Sequence, residues 1–310
     1  MGAVSFQEAE WIWKDGDFIP WHDANLHLFS TAVQFGTSVF EGMRAYETPR
    51  GPAIFRLDAH IRRLYDSAKI YRMTPDIAPE DVKRASIEVL TRNALTSAYI
   101  RPMVLRGYGA PGLNPFGSPI ETYVGAWAWG SYLGAEALAE GVDVCVSSWQ
   151  RAMPNTYPQR AKAGGHYVSA QLMKMEAVQN GYADAIALGP GGLVSEGSGM
   201  NLFLVRDGVV ITPFLDGTSL EGITRSAILR MALDLGYETR EQPVPRESLY
   251  TADEIFFTGT AAEVTPVRSV DRIPVGDGKA GPISLALQKH FLETVRGEND
   301  DPHGWLTYVG

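Results

Sequence analysis

The chain has 310 residues, of which 45% are hydrophobic and 20% charged, and its net charge is -9. This acidic balance argues against nucleic acid or an anionic membrane as the main partner, and no apolar run approaches the ~20 residues of a membrane span. The single cysteine, Cys145, excludes an intrachain disulfide and a multi-cysteine zinc site. Because the first residues also lack a signal-peptide pattern, we expect a cytoplasmic protein.

The first half of the chain mixes strands and helices. A short strand is predicted in "AIFRL", and Asp58 is expected to cap the amphipathic helix that follows it. Pro79 is expected to open a second helix. Two strands are then predicted in "SAYIRPMVLRGYG" and "ETYVGAWAWG", and Tyr99 and Arg101 share one face of the first.

The second half begins with a predicted strand, "GVDVCVSSW", and continues with a helix that should end at Gly181. Two strands follow around a Gly-Pro-Gly-Gly turn, and a hairpin is predicted at Asp207-Gly208. A further helix should stop at Gly236, a buried strand is predicted in "EIFFTGTAAEV", and "PISLALQKHFLETVRGE" predicts a closing helix. Hairpins imply antiparallel pairs, so the pattern favours an α+β protein over a doubly wound sheet.

Two domains are expected. The segment "WGSYLGAEAL" interrupts the strand pattern with two glycines and is the candidate connection. We therefore predict a small N-terminal domain at residues 1–126, an interdomain loop at 127–138 and a large C-terminal domain at 139–310.

Lys162, in "AKAGGHYVSA", is an isolated lysine beside a Gly-Gly pair. Most lysines are solvated surface charges. A lysine that forms a Schiff base must instead lose its proton, which requires burial or nearby positive charge. The small neighbours suit close packing around a ligand, but the residues alone leave both interpretations open.

Other candidates are equally ambiguous when taken singly. Glu196, in "LVSEGSGMNLF", is either a turn carboxylate or an acid paired with a cofactor nitrogen or a cation. Gly222-Ile223-Thr224 and Gly259-Thr260-Ala261 are either ordinary caps and turns or anion sites built from backbone amides. Periodicity does not choose between Arg62 and Arg63. We see no metal-ligand spacing and no hydrolase triad pattern.

Seven stretches occur in an order that is more specific than any of them alone: "FGTSVFEGMRAY", "FRLDAHIRRLYDSAKIYRM", "TSAYIRPMVLRGYG", "AKAGGHYVSA", "VSEGSGMNLFLV", "LEGITRSAIL" and "FTGTAAEVTPVRSVD". Together they closely resemble the branched-chain amino acid aminotransferases, fold-type IV enzymes that use pyridoxal 5'-phosphate. The resemblance covers nearly the whole chain. It implies a small N-terminal α/β sandwich, a larger C-terminal domain with a barrel-like sheet, and the cofactor between them.

The resemblance also implies roles at the cofactor. Lys162 matches the lysine that forms the Schiff base and then acts as the general base, and Glu196 matches the carboxylate on the pyridine nitrogen. Tyr167 matches the phenol at the ring oxygen, and Arg63, rather than Arg62, matches the phosphate-binding arginine. The remaining implied cofactor contacts are Leu220, Ile223, Thr224 and Thr260.

For the substrate, the resemblance implies a side-chain pocket made by Phe40, Tyr99, Trp129 and Tyr132. Arg101 matches the arginine that receives the distal carboxylate of glutamate, and amides of Thr260 and Ala261 lie near the α-carboxylate. Phe35 stands where some members carry a tyrosine, which removes one hydroxyl from the glutamate-reading set.

The implied reaction is a ping-pong transamination that moves the amino group of leucine, isoleucine or valine to 2-oxoglutarate. The resemblance also implies a homo-oligomer of at least two chains and does not decide between a dimer and a hexamer. The loop "GYGAPGLNPFG" is expected to lie near the active site of the neighbouring chain. The alternatives are another fold-type IV enzyme (a D-amino acid or (R)-amine transaminase, or an aminodeoxychorismate lyase) and a protein that only stores or senses the cofactor.

Overall fold

The computed structural model describes residues 7–109, 112–130 and 135–310. Contacts divide the chain into a first unit, Met1–Gly130, Ala161–Gly165 and Thr294–Gly310, and a second unit, Ser131–Arg160 and His166–Glu293. The chain therefore returns to its first unit twice. In the described ranges, no helix has the length and apolar character needed to cross a membrane.

The strands, in chain order, are β1 (Trp11–Lys14), β2 (Asp17–Pro20), β3 (Ser38–Phe40), β4 (Met43–Tyr46), β5 (Ala53–Phe55), β6 (Ala98–Arg106), β7 (Ile120–Ala128), β8 (Val142–Val146), β9 (Asp184–Leu188), β10 (Val194–Gly197), β11 (Asn201–Arg206), β12 (Val209–Pro213), β13 (Thr239–Gln242), β14 (Glu254–Gly259), β15 (Glu263–Val270), β16 (Ile273–Pro274) and β17 (Leu306–Tyr308). The helices are α1 (Thr31–Phe35), α2 (Leu57–Ile70), α3 (Pro79–Arg92), α4 (Ala135–Glu140), α5 (Tyr167–Gln179), α6 (Ile223–Asp234), α7 (Ser248–Thr251) and α8 (Pro282–Val295).

The first unit contains an antiparallel sheet in the order β17-β5-β4-β6-β7-β1-β2, with β3 also paired to β6. Helices α2 and α3 pack their apolar faces on it, where Ile61, Leu64, Val89 and Leu90 are fully buried. Pro79 opens α3 as predicted.

The predicted cap of α2 is wrong. The helix begins at Leu57, so Asp58 lies inside the first turn, and the residue before the helix is Arg56 in a left-handed conformation (φ 57°) with no side-chain cap bond. In the first turn a carboxylate still interacts favourably with the helix dipole. Asp58 also pairs with Lys83 at 2.6 Å.

The second unit contains a mixed sheet in the order β10-β9-β8-β15-β14-β11-β12-β13, with β16 added to β15. Strands β8 and β9, β8 and β15, and β12 and β13 pair in parallel, and the other pairs are antiparallel. The hairpin at Asp207-Gly208 is confirmed, and both turn residues have positive φ. Gly181 and Gly236 follow the ends of α5 and α6, also as predicted.

The last helix does not close the chain. Strand β17 follows α8 and pairs with β5 in the first unit, through Leu306 and Phe55 among others. This three-residue strand was not predicted from the sequence.

Candidate active site

The backbone of Lys162 is held from two sides within the first unit. Its N–H donates to Ser67 Oγ at 3.0 Å, and its C=O accepts from the Phe40 N–H at 3.0 Å. The flanking residue Ala163 forms an isolated bridge with Val39. The side chain is half-buried, and its Nζ lies 5.1 Å from the centre of the Phe40 ring. The segment thus presents the amine from a fixed backbone.

The Gly-Gly pair explains how this segment fits. A Cβ on Gly164 would overlap the hydroxyl of Ser38, and the backbone of Gly165 lies against Gly36. Both glycines therefore permit the close approach of residues 161–165 to the segment that leads into β3.

One face of α2 carries polar residues toward the same region. His60, Arg63 and Ser67 recur at helical spacing, so they project from one side of the helix. Arg63 makes a forked ion pair with Glu41, from Nε to Oε1 at 2.6 Å and from Nη2 to Oε2 at 2.8 Å. Arg62 is 85% exposed and lies 4.0 Å from Asp66. Burial therefore separates the two arginines that periodicity could not.

The carboxylate of Glu41 is the centre of this cluster and was missed by the sequence analysis. Glu41 and His60 are both fully buried, and His60 Nδ1 lies 2.7 Å from Glu41 Oε2. Burial raises the pKa of Glu41, but the charges and hydrogen bonds of Arg63 and His60 outweigh it and hold the pKa well below its usual range. Burial also lowers the pKa of His60, although the charge and hydrogen bond of Glu41 oppose this shift.

Aromatic rings surround Arg101. Its guanidinium carbon lies 4.6 Å from the Phe40 ring centre, 5.2 Å from that of Tyr99 and 5.7 Å from that of Trp127. The Tyr99 ring also lies 5.2 Å from that of Trp129. The buried Nε of Arg101 has no hydrogen-bond partner among the described residues. The first unit thus brings four of the predicted substrate residues together: Phe40, Tyr99, Arg101 and Trp129.

Trp127, near the end of β7 and two residues before Trp129, belongs to this cluster and was not predicted. Gly42 makes room for the cluster, because a Cβ there would overlap the Tyr99 hydroxyl. Phe35 is 48% exposed at the end of α1. Tyr132 lies outside the described residues.

Glu196 is the centre of a cluster in the second unit. It is buried on β10, and its Oε1 lies 3.2 Å from Nη2 of the buried Arg151. Its Oε2 accepts from the Leu220 N–H at 3.2 Å and from Asn201 Nδ2 at 3.3 Å. Asn201 also donates to the Leu220 C=O at 3.0 Å. Leu220 is thereby joined to Glu196, and Arg151 and Asn201 are residues that the sequence analysis missed.

The N-terminus of α6 follows directly after Leu220. The residue before the helix, Gly222, is extended and makes no side-chain cap bond, so Ile223 and Thr224 begin the helix with backbone N–H groups of the kind that bind anions. A Cβ on Gly222 would overlap the Asn201 side chain. The helix start is therefore packed directly against the residue that bonds Glu196.

The other predicted residues of the second unit lie at element ends. Tyr167 is half-buried at the start of α5, and the ring of His166 before it makes an edge contact with Tyr157 at 5.4 Å. Thr260 and Ala261 are half-buried in the turn between β14 and β15. Thr258, near that turn, is buried, and its hydroxyl has no partner among the described residues.

The chain is similar in sequence to known proteins over nearly its whole length. Residues 38–270 match the family model of amino-transferase class IV. The branched-chain-amino-acid aminotransferase of Escherichia coli (strain K12) is 49% identical over 307 residues, which are 99% of each chain.

Two solved structures are similar in fold. The E. coli branched-chain amino acid aminotransferase has a TM-score of 0.96 at 49% identity and covers 98% of this chain and 100% of its own. The T.th. branched-chain amino acid aminotransferase, complexed with N-(5'-phosphopyridoxyl)-L-glutamate, has a TM-score of 0.93 at 48% identity and covers 97% of this chain and 99% of its own.

These similarities confirm the predicted fold class, α+β of the fold-type IV aminotransferases, with a curled half-barrel sheet in the larger domain. They also confirm that the chain is an aminotransferase. The family model and these relatives, together with the ordered motifs and the two buried clusters, show that the chain belongs to the branched-chain-amino-acid aminotransferases within aminotransferase class IV.

Proposed function

We propose that the protein transfers the amino group of leucine, isoleucine or valine to 2-oxoglutarate, with pyridoxal 5'-phosphate as cofactor and in two successive half-reactions. The observation that carries this substrate choice is the aromatic cluster around Arg101. It offers apolar surface and one guanidinium side by side. The names of the relatives and the pyridoxyl-glutamate complex of one neighbour support the same choice.

The donor chemistry of the two units fits this cofactor. A phosphate suits the forked guanidinium of Arg63 and the uncapped N-terminus of α6. A pyridine nitrogen suits the buried carboxylate of Glu196. When bound, the cofactor supplies an electron sink for the charge that develops at the substrate α-carbon. We propose that each set of residues contributes to cofactor binding.

The chain's own residues would then have distinct tasks. Lys162 would hold the cofactor through its amine and would move the proton at the substrate α-carbon. Glu196 would keep the ring nitrogen protonated, and Tyr167 would donate to the ring oxygen. The phosphate contacts would be Arg63, Ile223, Thr224 and Thr260, and Leu220 would be a further contact of the cofactor.

Substrate selection would follow from the same cluster. Phe40, Tyr99 and Trp129 receive an apolar branched chain on their ring faces, and Arg101 receives the distal carboxylate when glutamate occupies the site. Amides of Thr260 and Ala261 would bind the α-carboxylate. Tyr132 stays a predicted member of the pocket.

We also propose a homo-oligomer. Large apolar side chains are exposed on the first unit at Leu28, Phe29, Leu113 and Phe116, and the rings of His27 and Tyr108 lie 4.1 Å apart. Exposed apolar surface of this kind would suit contact with a second copy of the chain. The expected mass in solution, measured by light scattering, is at least twice the chain mass of 33.9 kDa. A monomer at micromolar concentration would contradict the proposal.

A panel of amino donors and acceptors tests the function. The expected result is glutamate formation from 2-oxoglutarate with L-leucine, L-isoleucine and L-valine, and little with D-alanine or an (R)-amine. A faster reaction with D-alanine or the (R)-amine would favour the alternative transaminases. Release of pyruvate from aminodeoxychorismate without any 2-oxo acid acceptor would favour the lyase.

A further inference from the structure

A buried carboxylate fixes the arginine that matches the phosphate binder. We propose that Glu41 and His60 are positioning residues, which hold the Arg63 guanidinium in the orientation that receives the cofactor phosphate. The proposal rests on the proposed function and goes beyond it, because neither residue would touch the cofactor.

The geometry of the pair supports orientation rather than simple charge balance. Glu41 engages Nε and Nη2, which form one edge of the planar guanidinium, so the plane and the direction of the group are both set. Two bonds use two of the five N–H donors of an arginine. A flexible arginine would lose side-chain entropy when it bound an anion, and a forked pair removes that cost in advance.

Glu41 is itself held by several elements. Its backbone N–H donates to the Pro102 C=O on β6 at 2.8 Å, and its side chain accepts from His60 on α2 at 2.7 Å. The next residue, Gly42, contacts Glu41 Oε2 through its N–H at 3.3 Å. The orientation of the Arg63 guanidinium therefore depends on β6 as well as on α2.

Charge and orientation make opposite predictions. The negative charge of Glu41 opposes that of a phosphate, so a purely electrostatic view expects cofactor binding to improve when the carboxylate is lost. The orientation view expects binding to weaken, because the guanidinium becomes free to rotate. If the ion pair only stabilises the fold, replacing Glu41 would leave the preference of the protein for the phosphorylated ligand unchanged.

The test compares pyridoxal 5'-phosphate with pyridoxal, which lacks the phosphate, in titrations of the full-length apoprotein followed by visible absorbance. We expect Glu41→Gln and Glu41→Asp each to raise the Kd for pyridoxal 5'-phosphate about tenfold and to leave the Kd for pyridoxal within about twofold of the unsubstituted protein. The aspartate keeps the charge but is too short for the same fork. Arg62→Gln, at the exposed neighbour, is the matched control and should change neither Kd.

The possible outcomes are distinct. If the unsubstituted protein binds no pyridoxal 5'-phosphate, the proposed function fails. If it binds but both Glu41 variants bind the two ligands as it does, or if Glu41→Gln binds the phosphate form more tightly, the positioning role is overturned. If the Glu41 variants do not fold, His60→Leu, which removes the second hold on Glu41, should raise the Kd for the phosphate form severalfold. An unchanged Kd ratio in that variant overturns the proposal.

Discussion

At the scale of single residues, Arg101 is the side chain whose surroundings most need a functional explanation. A guanidinium among Phe40, Tyr99 and Trp127 gains from contact with the ring faces. Its buried Nε nevertheless lacks a hydrogen-bond partner in the described part of the chain. Leaving a buried donor unpaired costs about 1–3 kcal/mol. A ligand carboxylate would remove that cost, which is why we assign this position to the distal carboxylate of glutamate.

Replacing this arginine should therefore separate the two substrates. For Arg101→Met we expect kcat/KM for 2-oxoglutarate to fall about 10- to 100-fold, because a charged hydrogen bond contributes about 1.5–3 kcal/mol. The value for the branched 2-oxo acid of leucine should change less than about threefold, since methionine keeps an apolar side chain of similar length. Steady-state kinetics with each acceptor measures the difference. Equal losses for both acceptors would mean that Arg101 does not read the carboxylate.

Residues of the site differed in how far they could be predicted. Lys162 stands out by its isolation, and its motif places it in the family. Arg62 and Arg63 both lie off the apolar face of α2, so only burial distinguishes them. Glu41 lies 22 positions before Arg63, and no sequence spacing predicts that the two side chains meet. Arg151 was missed for the same reason, since it meets Glu196 only through the folded sheet.

At the scale of elements, the C-terminal ends of α3 and α5 can be compared directly. Helix α3 ends in a motif in which the Leu95 N–H donates to the Leu90 C=O at 2.9 Å and the Ala94 N–H to the Thr91 C=O at 3.2 Å. Ala94 must adopt a positive φ of 51° to complete it. Glycine usually occupies this position because it has no Cβ to clash. After α5 the same place is held by Gly181.

The two positions give a matched pair of stability predictions. Ala94→Gly should raise the free energy of unfolding by about 0.5–1 kcal/mol, because it relieves the left-handed strain of an exposed alanine. Gly181→Ala should lower the free energy of unfolding by about 1 kcal/mol through the same left-handed strain. A Cβ there would meet no other atom within 4 Å, so no steric clash adds to this effect. Urea denaturation of each variant measures both. A destabilised Ala94→Gly variant would contradict this account of the helix end.

The elements that were predicted well have strong local signals. Pro79, Gly181, Gly236 and the Asp207-Gly208 turn each act through the backbone of their own segment. The cap at Asp58 was wrong because the left-handed Arg56 starts the helix earlier than its hydrophobic pattern indicates. Strand β17 was missed because three residues carry little periodicity and exist as a strand only by pairing with β5.

At the scale of the whole molecule, the course of the chain matters more than its linear domain order. Residues 161–165 belong to the first unit by their contacts, although residues 131–160 and 166–293 form the second. The segment carries Lys162, and it is fixed there by Phe40 and Ser67. These contacts join residues about a hundred positions apart, so the sequence pattern could predict an α+β protein with two domains but not this return. The predicted linear boundary at 127–138 stays a prediction.

The central claim is that Lys162 carries the cofactor, and one measurement tests it most directly. The protein loaded with pyridoxal 5'-phosphate is reduced with borohydride and digested, and the labelled peptide is mapped by mass spectrometry. We predict a phosphopyridoxyl group on Lys162 and none on Lys174, a nearby lysine whose Nζ is paired with Asp184 at 2.8 Å. Label on any other lysine, with Lys162 unmodified, would contradict the account.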